Sequence, residues 1–422
     1  MAIEETNFYF QRFGFCERQI STPPHPSLRL VVVIPCFNEP DLVGSLESLR
    51  VCDRPKCAVE VIVVINSPRD CNEQIRSQNQ ATLEAASKWI ACHFDPRFAF
   101  HLLHFPDLPS KQAGVGLARK IGMDEALRRL DDAGGLNGII VGYDADCRCE
   151  RNYLAAIEKY FQQHPRCPGC SIYFEHPLAG SLDPLVYEAV AAYELHLRYY
   201  VQALRFAGFA HAHHTIGSCM AVRAEAYRKQ GGMNKRKAGE DFYFLHKIIP
   251  LGGFGDLTET IVTPLSRPSD RVPFGTGKAV RACLDGGEIS TYPVKAFLDL
   301  KRLLACLQSI RLNGEAFAVE AMAQLPSSVR SFLKEQRFDQ VLKEIRQNTA
   351  DETTFRKRLF NWFDGFRAMK FMNRARDGFH GEGRVGEEAA MLLDLLPGEP
   401  KASSNVSVRE LLRIYRGLDR AG

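Results

Sequence analysis

The stretch LVVVIPCFNEP, residues 30–40, begins with five consecutive apolar residues and ends in a polar segment that contains two prolines. Short, β-branched apolar runs of this kind are typical of buried parallel strands, because both faces of such a strand are covered. A second run, VEVIVVINS, residues 59–67, ends in the same way at Asn66. A helical pattern follows each run, so the order strand, helix, strand, helix predicts a parallel sheet covered by helices.

Composition limits the class of protein. The chain has 422 residues, of which 45% are hydrophobic and 25% charged, as in globular proteins that bury a large core. The 54 basic and 50 acidic residues leave a formal charge of +4, too balanced to indicate a nucleic-acid binder. No apolar run approaches the roughly 18 residues of a membrane span. With 13 scattered cysteines and no secretion signal, we expect a cytoplasmic protein; a position at the inner face of a membrane stays open.

The patterns divide the chain into three regions. Residues 1–29 begin with a stretch crowded with aromatic side chains, and three prolines follow it at positions 23, 24 and 26. These residues are predicted to form an N-terminal arm. Residues 30–290 carry the strand and helix patterns of the main domain, with a first half at 30–150 and a second half at 151–290. From residue 291 to 422 strand signals are few and helical patterns dominate, which predicts a C-terminal helical region.

The triplet Asp144-Ala145-Asp146 comes directly after an apolar strand pattern that ends at Gly142. In an extended chain its two carboxylates would lie on the same side, where they repel each other unless a cation lies between them. A divalent cation that also bridges a phosphate would meet this need. Because ligands of open parallel sheets bind at the carboxyl ends of strands, the position favours a binding site over a loop of solvated acids.

Two further segments carry charges near predicted helix starts. Glu240 and Asp241 follow Gly239 at the start of a helix, where acids generally complement the helix dipole; a carboxylate there could also act as a general base toward an acceptor hydroxyl. Lys111 and Arg119 flank a glycine-containing helix start, which suits a diphosphate. The spacing of these glycines matches neither the P-loop nor the dinucleotide-binding fingerprint.

Four motifs in residues 28–270 together resemble glycosyltransferase family 2: VVVIPCFNEP, KQAGVGLARKIG, the strand-end DADC and GGMNKRKAGEDFYFL, in this order. The resemblance implies a GT-A fold, an α/β sheet that is mostly parallel and flanked by helices. It further implies a glycosyltransferase of the hexosyltransferase type, which moves a sugar from a nucleotide-sugar donor to an acceptor hydroxyl. Residues 30–150 would then be the nucleotide-binding half and residues 151–290 the acceptor half.

The resemblance also assigns roles to residues. It implies that Asp144 and Asp146 hold Mn²⁺ or Mg²⁺, with Asp146 as the direct ligand, and that Asp241, beside Glu240, is the general base of an inverting displacement. The expected nucleotide-binding residues lie at strand ends and beside the helix start: Pro35, Asn38, Glu39, Asn66, Lys111, Arg119 and Asp144. The family usually has an acidic pair at the second strand end, where this chain has Asn66-Ser67, so the base stays open.

One loop and two clusters have more than one interpretation. The loop with Arg267, Asp270 and Arg271 resembles loops that close over the diphosphate or the acceptor, and a solvated linker is the alternative. A spacing that would suit four zinc-binding thiolates, or ordinary thiols, occurs in Cys147, Cys149, Cys167 and Cys170. Acceptor contact or packing explains the run His211-Ala212-His213-His214 better than metal binding does.

Other functions remain as alternatives. A retaining transferase of the mannosylglycerate synthase type would give the opposite product anomer. A sugar nucleotidyltransferase would release pyrophosphate, and a non-catalytic glycan-binding protein would show no turnover. The acceptor stays open among glycans, lipid-linked sugars and small molecules, as do peripheral membrane contact and a homodimer.

Overall fold

The computed structural model describes residues 2–266, 275–313, 322–398 and 406–421. The chain divides into two compact units. One comprises Met1–Tyr187 and Thr215–Arg281, and the other comprises Glu188–His214 and Ala282–Gly422. Residues 188–214, which the sequence predicts as part of the second half of the main domain, thus cluster with the C-terminal residues. The predicted domain boundaries stay a prediction.

The first unit is built on an eight-stranded sheet with the order β3-β2-β1-β4-β7-β6-β8-β5. Six strands run in the same direction, while β5 and β7 run opposite to them. The strands are β1 (Leu28–Cys36), β2 (Ala58–Pro68), β3 (Phe98–Leu108), β4 (Ile139–Gly142), β5 (Cys147–Cys149), β6 (Gly169–Phe174), β7 (Met220–Arg223) and β8 (Gly255–Pro264).

Helices precede and connect these strands along the chain. They are α1 (Ala2–Phe13), α2 (Leu42–Arg50), α3 (Glu73–Cys92), α4 (Val115–Asp132), α5 (Tyr153–Gln163), α6 (Pro184–Ala207), α7 (Ala224–Lys229), α8 (Glu240–Ile248) and α9 (Thr276–Leu284). Most of α6 and the end of α9 belong to the second unit. The order of β1 to β4 creates a switch point, because the chain moves outward from β1 to β3 and then returns to the other side of β1. Ligands bind at the carboxyl ends of strands at such a point.

The second unit is helical. Apart from a short antiparallel pairing of Ser290–Thr291 with Gly383–Arg384, its described residues form helices and their connections. They are Val294–Asn313, Ser327–Glu335, Phe338–Gln347, Glu352–Trp362, Gly365–Ala375, Val385–Leu395 and Val408–Ala421, together with most of α6. The predicted fold class, an α/β sheet that is mostly parallel and flanked by helices, with a C-terminal helical region, is confirmed. Among the described helices, none is long and apolar enough to cross a membrane. The cytoplasmic location stays a prediction.

Helix α4 is the central helix of the first unit and is buried along most of its length. It lies so close to the sheet that a side-chain carbon on Gly122 would come within 2.4 Å of Val33. Its polar side chains are buried as well. Arg129, 1% exposed, donates to both carboxylate oxygens of Glu60 on β2, at 2.8 and 2.5 Å, and to the carbonyl of Thr22. This ion pair fixes α4 on the sheet and holds the N-terminal segment against it.

We predict that Arg129→Met lowers the free energy of unfolding by about 3–5 kcal/mol, because it leaves the buried carboxylate of Glu60 without its main partner. The control is Lys159→Met, which breaks the exposed Lys159–Glu259 pair, where both side chains are 55% exposed. That change is expected to cost less than about 1 kcal/mol. Urea denaturation followed by circular dichroism measures both, and equal losses would contradict the prediction.

Candidate active site

The buried guanidinium of Arg119, on α4, lies at the centre of the candidate site. It is 2% exposed and donates hydrogen bonds to three acceptors in three separate segments. They are Asp144 Oδ1 after β4 at 3.0 Å, the Gly217 carbonyl before β7 at 2.6 Å, and Glu240 Oε1 at the start of α8 at 3.2 Å. One side chain thus brings together the two acidic motifs that the sequence singled out.

Two glycines allow these segments to approach so closely. A side-chain carbon on Gly116 would lie 2.1 Å from the carbonyl oxygen of Arg236 and 3.0 Å from the Glu240 side chain. A side-chain carbon on Gly217 would lie 2.6 Å from the guanidinium carbon of Arg119. A side chain at position 116 would therefore push the backbone of Arg236 away from α4, and one at position 217 would displace the Arg119 guanidinium.

Asp241 is held in a fixed orientation by the backbone. Its Oδ2 accepts a hydrogen bond from the N–H of Gly217 at 2.8 Å, and its Oδ1 accepts one from its neighbour Phe242, also at 2.8 Å. Asp241 is half-buried, whereas Glu240 is 3% exposed. Of the two acids at the start of α8, Asp241 is therefore the one that a ligand can reach.

The charges around Arg119 are unbalanced. Three carboxylates, those of Asp144, Glu240 and Asp241, act on one guanidinium. Burial raises the pKa of Glu240 from 4.5 to about 7, against the opposing effect of Arg119. Burial likewise raises the pKa of Asp241, again opposed by Arg119. For Arg119, burial acts to lower the pKa, but the three acids raise it above the usual value. An additional cation near these acids would therefore be electrostatically favourable.

The acids of the Asp144-Ala145-Asp146 triplet lie in a turn, not in the extended chain that the sequence prediction assumed. The N–H of Cys147 donates to the carbonyl of Asp144 at 3.1 Å and closes this turn, and the Ser45 hydroxyl donates to the carbonyl of Ala145 at 2.7 Å. Both acids are partly exposed, with 38% of the Asp144 side chain accessible. Partly exposed carboxylate oxygens beside an excess of negative charge suit a hard divalent cation.

The expected nucleotide-binding residues at the ends of β1 and β2 differ in exposure. Pro35 is buried in β1, and Glu39 is fully buried, with its Oε1 accepting the N–H of Asp41 at 3.0 Å. Asn66 is 2% exposed, and its side chain donates to the Gly114 carbonyl at 3.5 Å. Asn38 is half-buried at the end of β1. Their role in nucleotide binding stays a prediction.

The two expected cations are also placed differently. Lys111 is exposed just before α4, whereas Arg119 is buried among carboxylates. The sequence suggested a diphosphate contact for both. The structure shows that Arg119 already has acidic partners, a pairing of residues up to 121 positions apart that no local pattern could indicate. Contact of either side chain with a diphosphate stays a prediction.

The remaining candidates lie elsewhere. Arg267, Asp270 and Arg271 are outside the described residues. The histidine run belongs to the second unit, where His214 Nε2 lies 2.9 Å from Asp419 Oδ2. Within the described ranges, no group of three or more His, Cys, Asp or Glu could hold a metal ion by itself, and none of the four zinc-spaced cysteines forms a disulfide.

Comparison with known proteins identifies the domain. Residues 31–231 match the family model "Glycosyl transferase family 2". The chain contains a family 2 glycosyltransferase domain. The predicted family and the predicted class of enzyme, a glycosyltransferase, are confirmed. A comparison with curated protein sequences gave no match.

Solved structures show distant similarity. S. aureus TarS 1–349 in complex with UDP-GlcNAc shares 14% identity at a TM-score of 0.42, covering 78% of this chain and 90% of that one. The mannosyltransferase PcManGT from Pyrobaculum calidifontis, in complex with GDP-Man and Mn²⁺, shares 16% identity at a TM-score of 0.36, covering 86% and 96%.

We predict that Glu240→Gln gains thermal stability relative to the parent chain as the pH rises from about 5 to 7.5. In the folded state Glu240 keeps its proton up to a pKa of about 7, whereas the unfolded chain releases it near 4.5. The parent therefore loses stability as the pH rises through this window, by an amount on the order of 1–3 kcal/mol, and the glutamine variant lacks this loss. Melting temperatures of both proteins across this range measure it, and a constant difference would contradict the prediction.

Proposed function

We propose that the enzyme binds a nucleotide-sugar donor together with Mn²⁺ or Mg²⁺ and transfers the sugar with inversion, using Asp241 as general base. The observation that supports the proposal is that Arg119 donates to Asp144, to the Gly217 carbonyl and to Glu240, while the Gly217 N–H donates to Asp241. A glycosyl transfer needs both parts, because the donor's diphosphate and the acceptor's hydroxyl meet at the anomeric carbon.

The donor would lie along the carboxyl ends of β2, β1 and β4. Its base would face Asn66 and Asn38, and its diphosphate would face Asp144 and Asp146. When bound at these two acids, the metal would neutralise charge on the leaving diphosphate. The excess of negative charge around Arg119 supports this role, because a cation would balance it.

Asp241 would take the proton of the acceptor hydroxyl as the oxygen attacks the anomeric carbon and the nucleoside diphosphate leaves. Backbone N–H groups at 2.8 Å hold both of its carboxylate oxygens, so the carboxylate is oriented before the acceptor arrives. Glu240 is too buried to meet an acceptor and would act by holding Arg119. Burial raises the pKa of Asp241, which makes it a stronger base than an exposed aspartate.

We predict that Asp241→Asn lowers kcat by at least about 100-fold, because a positioned general base typically contributes 10²- to 10⁴-fold. Binding of the nucleoside diphosphate should persist. In the parent, activity should fall as the pH drops through the raised pKa of Asp241, since the protonated acid cannot accept a proton. Donor turnover across a pH series and nucleotide binding by calorimetry measure these effects.

The matched control is Asp53→Asn, at a side chain that is 59% exposed, and it should leave kcat unchanged. Near-normal turnover in Asp241→Asn would remove this residue from the role of base. If activity fell at low pH in the same way in the parent and in Asp241→Asn, Asp241 would likewise not be the base.

We predict that Asp146→Ala abolishes the effect of Mn²⁺ on nucleotide affinity, because it removes the carboxylate expected to bind the metal directly. Calorimetric titration of UDP and of GDP, each with and without Mn²⁺, measures this in the parent, in Asp146→Ala and in the control Asp53→Ala. If Asp146→Ala retained the parent's metal dependence, the proposed metal site would be wrong.

Product analysis separates the proposal from its alternatives. Release of nucleoside diphosphate with an inverted anomer is expected. Retention of the anomeric configuration would indicate a retaining transferase, and release of pyrophosphate would indicate a nucleotidyltransferase.

A further inference from the structure

A buried amide on α3 joins the ends of β1 and β2. Asn79 is 2% exposed; its Oδ1 accepts the N–H of Asn38 at 2.8 Å, and its Nδ2 donates to the carbonyl of Asn66 at 3.3 Å. One turn further along the helix, the hydroxyl of Thr82, 3% exposed, donates to the carbonyl of Glu39 at 2.7 Å. These two side chains therefore fix the backbone of both strand-end segments.

The first of these segments has an unusual backbone. Asn38 has a φ of +50° and is one of two non-glycine residues with positive φ in the described part of the chain. This conformation costs energy for any residue with a side chain and persists only where the surroundings enforce it. The contacts of Asn79 and Thr82 with Asn38 and its neighbour Glu39 are the enforcing interactions. Strain of this kind is concentrated at binding and catalytic sites.

We propose that Asn79 is a positioning residue for the nucleotide base, so that base selectivity depends on a buried side chain. The inference rests on the proposed function, in which the base lies at the ends of β1 and β2. Asn79 is too buried to touch a nucleotide, and it acts by setting the positions of Asn38 and Asn66.

The placement separates base from diphosphate. Asn38 and Asn66 end neighbouring strands of the sheet order β2-β1-β4, whereas the acids of the diphosphate end follow β4. None of the Asn79 or Thr82 hydrogen bonds described above reaches the Asp144-Ala145-Asp146 turn. A change at Asn79 should therefore weaken binding of nucleosides and leave binding of a metal-bound diphosphate intact.

The test uses Asn79→Asp in the full chain. Aspartate has the same shape and keeps an oxygen for the Asn38 N–H, but it replaces the donor to the Asn66 carbonyl with a second oxygen, which repels it. The matched control is Gln74→Glu, the same amide-to-acid change at an exposed position in the first turn of α3. Calorimetry measures binding of UDP, GDP and pyrophosphate, each with Mn²⁺.

We expect Asn79→Asp to weaken binding of the preferred nucleoside diphosphate by about tenfold or more, the effect of one disrupted buried hydrogen bond. The ratio of UDP to GDP affinity should shift toward one. Pyrophosphate affinity and kcat at saturating donor should stay within about twofold of the parent, and Gln74→Glu should match the parent in every measurement.

Three results would overturn the inference. Unchanged binding of both nucleotides would remove Asn79 from the role, and an equal loss for nucleotides and pyrophosphate would show a general structural effect. If the parent chain bound no nucleoside diphosphate in a panel of UDP, GDP, ADP, CDP and dTDP, each with Mn²⁺, the proposed function itself would fail. Should Asn79→Asp not fold, Thr82→Val is the second test. It deletes the hydrogen bond to the Glu39 carbonyl and the one that Gln78 donates to Thr82 within the same helix, and it should weaken binding of nucleotides, not of pyrophosphate, by about threefold.

Discussion

The rest of the site depends on one buried cation. A guanidinium that is 2% exposed is tolerated only if its charge and its N–H groups have partners, because an unpaired buried charge costs several kcal/mol. The partners of Arg119 come from the end of β4, the segment before β7 and the start of α8. Folding therefore cannot bury this helix without also assembling the two acidic motifs. Gly116 and Gly217 are the steric consequence, since the segments that surround Arg119 leave no room for a side chain at either position.

The same contacts set the chemistry of the acids. Burial raises the pKa of Glu240 and of Asp241, and the Arg119 guanidinium opposes this effect only in part. An aspartate with a raised pKa is a better proton acceptor, and a site with surplus negative charge favours a cation. The raised pKa results from burial, and the surplus negative charge results from three acids around one guanidinium. Both suit a reaction in which a carboxylate accepts a proton while a diphosphate leaves.

Much of the fold could be predicted from the sequence, and less of the site. The apolar runs of β1 and β2 are long, and Asp144 comes shortly after the run of β4. The sequence therefore predicts these parallel strands and the acidic residues at their carboxyl ends. β5, with three residues, is too short to give a clear pattern, and β6 begins with Gly169, Cys170 and Ser171, which give no apolar run. The role of Arg119 was missed because its partners are up to 121 residues away, and Asn79 looked like one polar residue in a polar helix. One signal could point to close packing at this place, the glycines Gly116 and Gly217 beside charged motifs, but it does not indicate which residues pair.

Two buried side chains on helices that follow each other along the chain, α3 and α4, thus hold two parts of the same sheet edge. Arg119 on α4 holds the charged end by ionic contacts, which are strong in a buried setting and sensitive to the protonation of Glu240 and Asp241. Asn79 on α3 holds the other end by neutral hydrogen bonds, which do not change with pH near neutrality and fix the strained backbone of Asn38. A nucleotide has the same division, with a neutral base and a charged diphosphate. In the proposed function the base and the diphosphate would therefore depend on separate sets of contacts, those of Asn79 and those of Arg119.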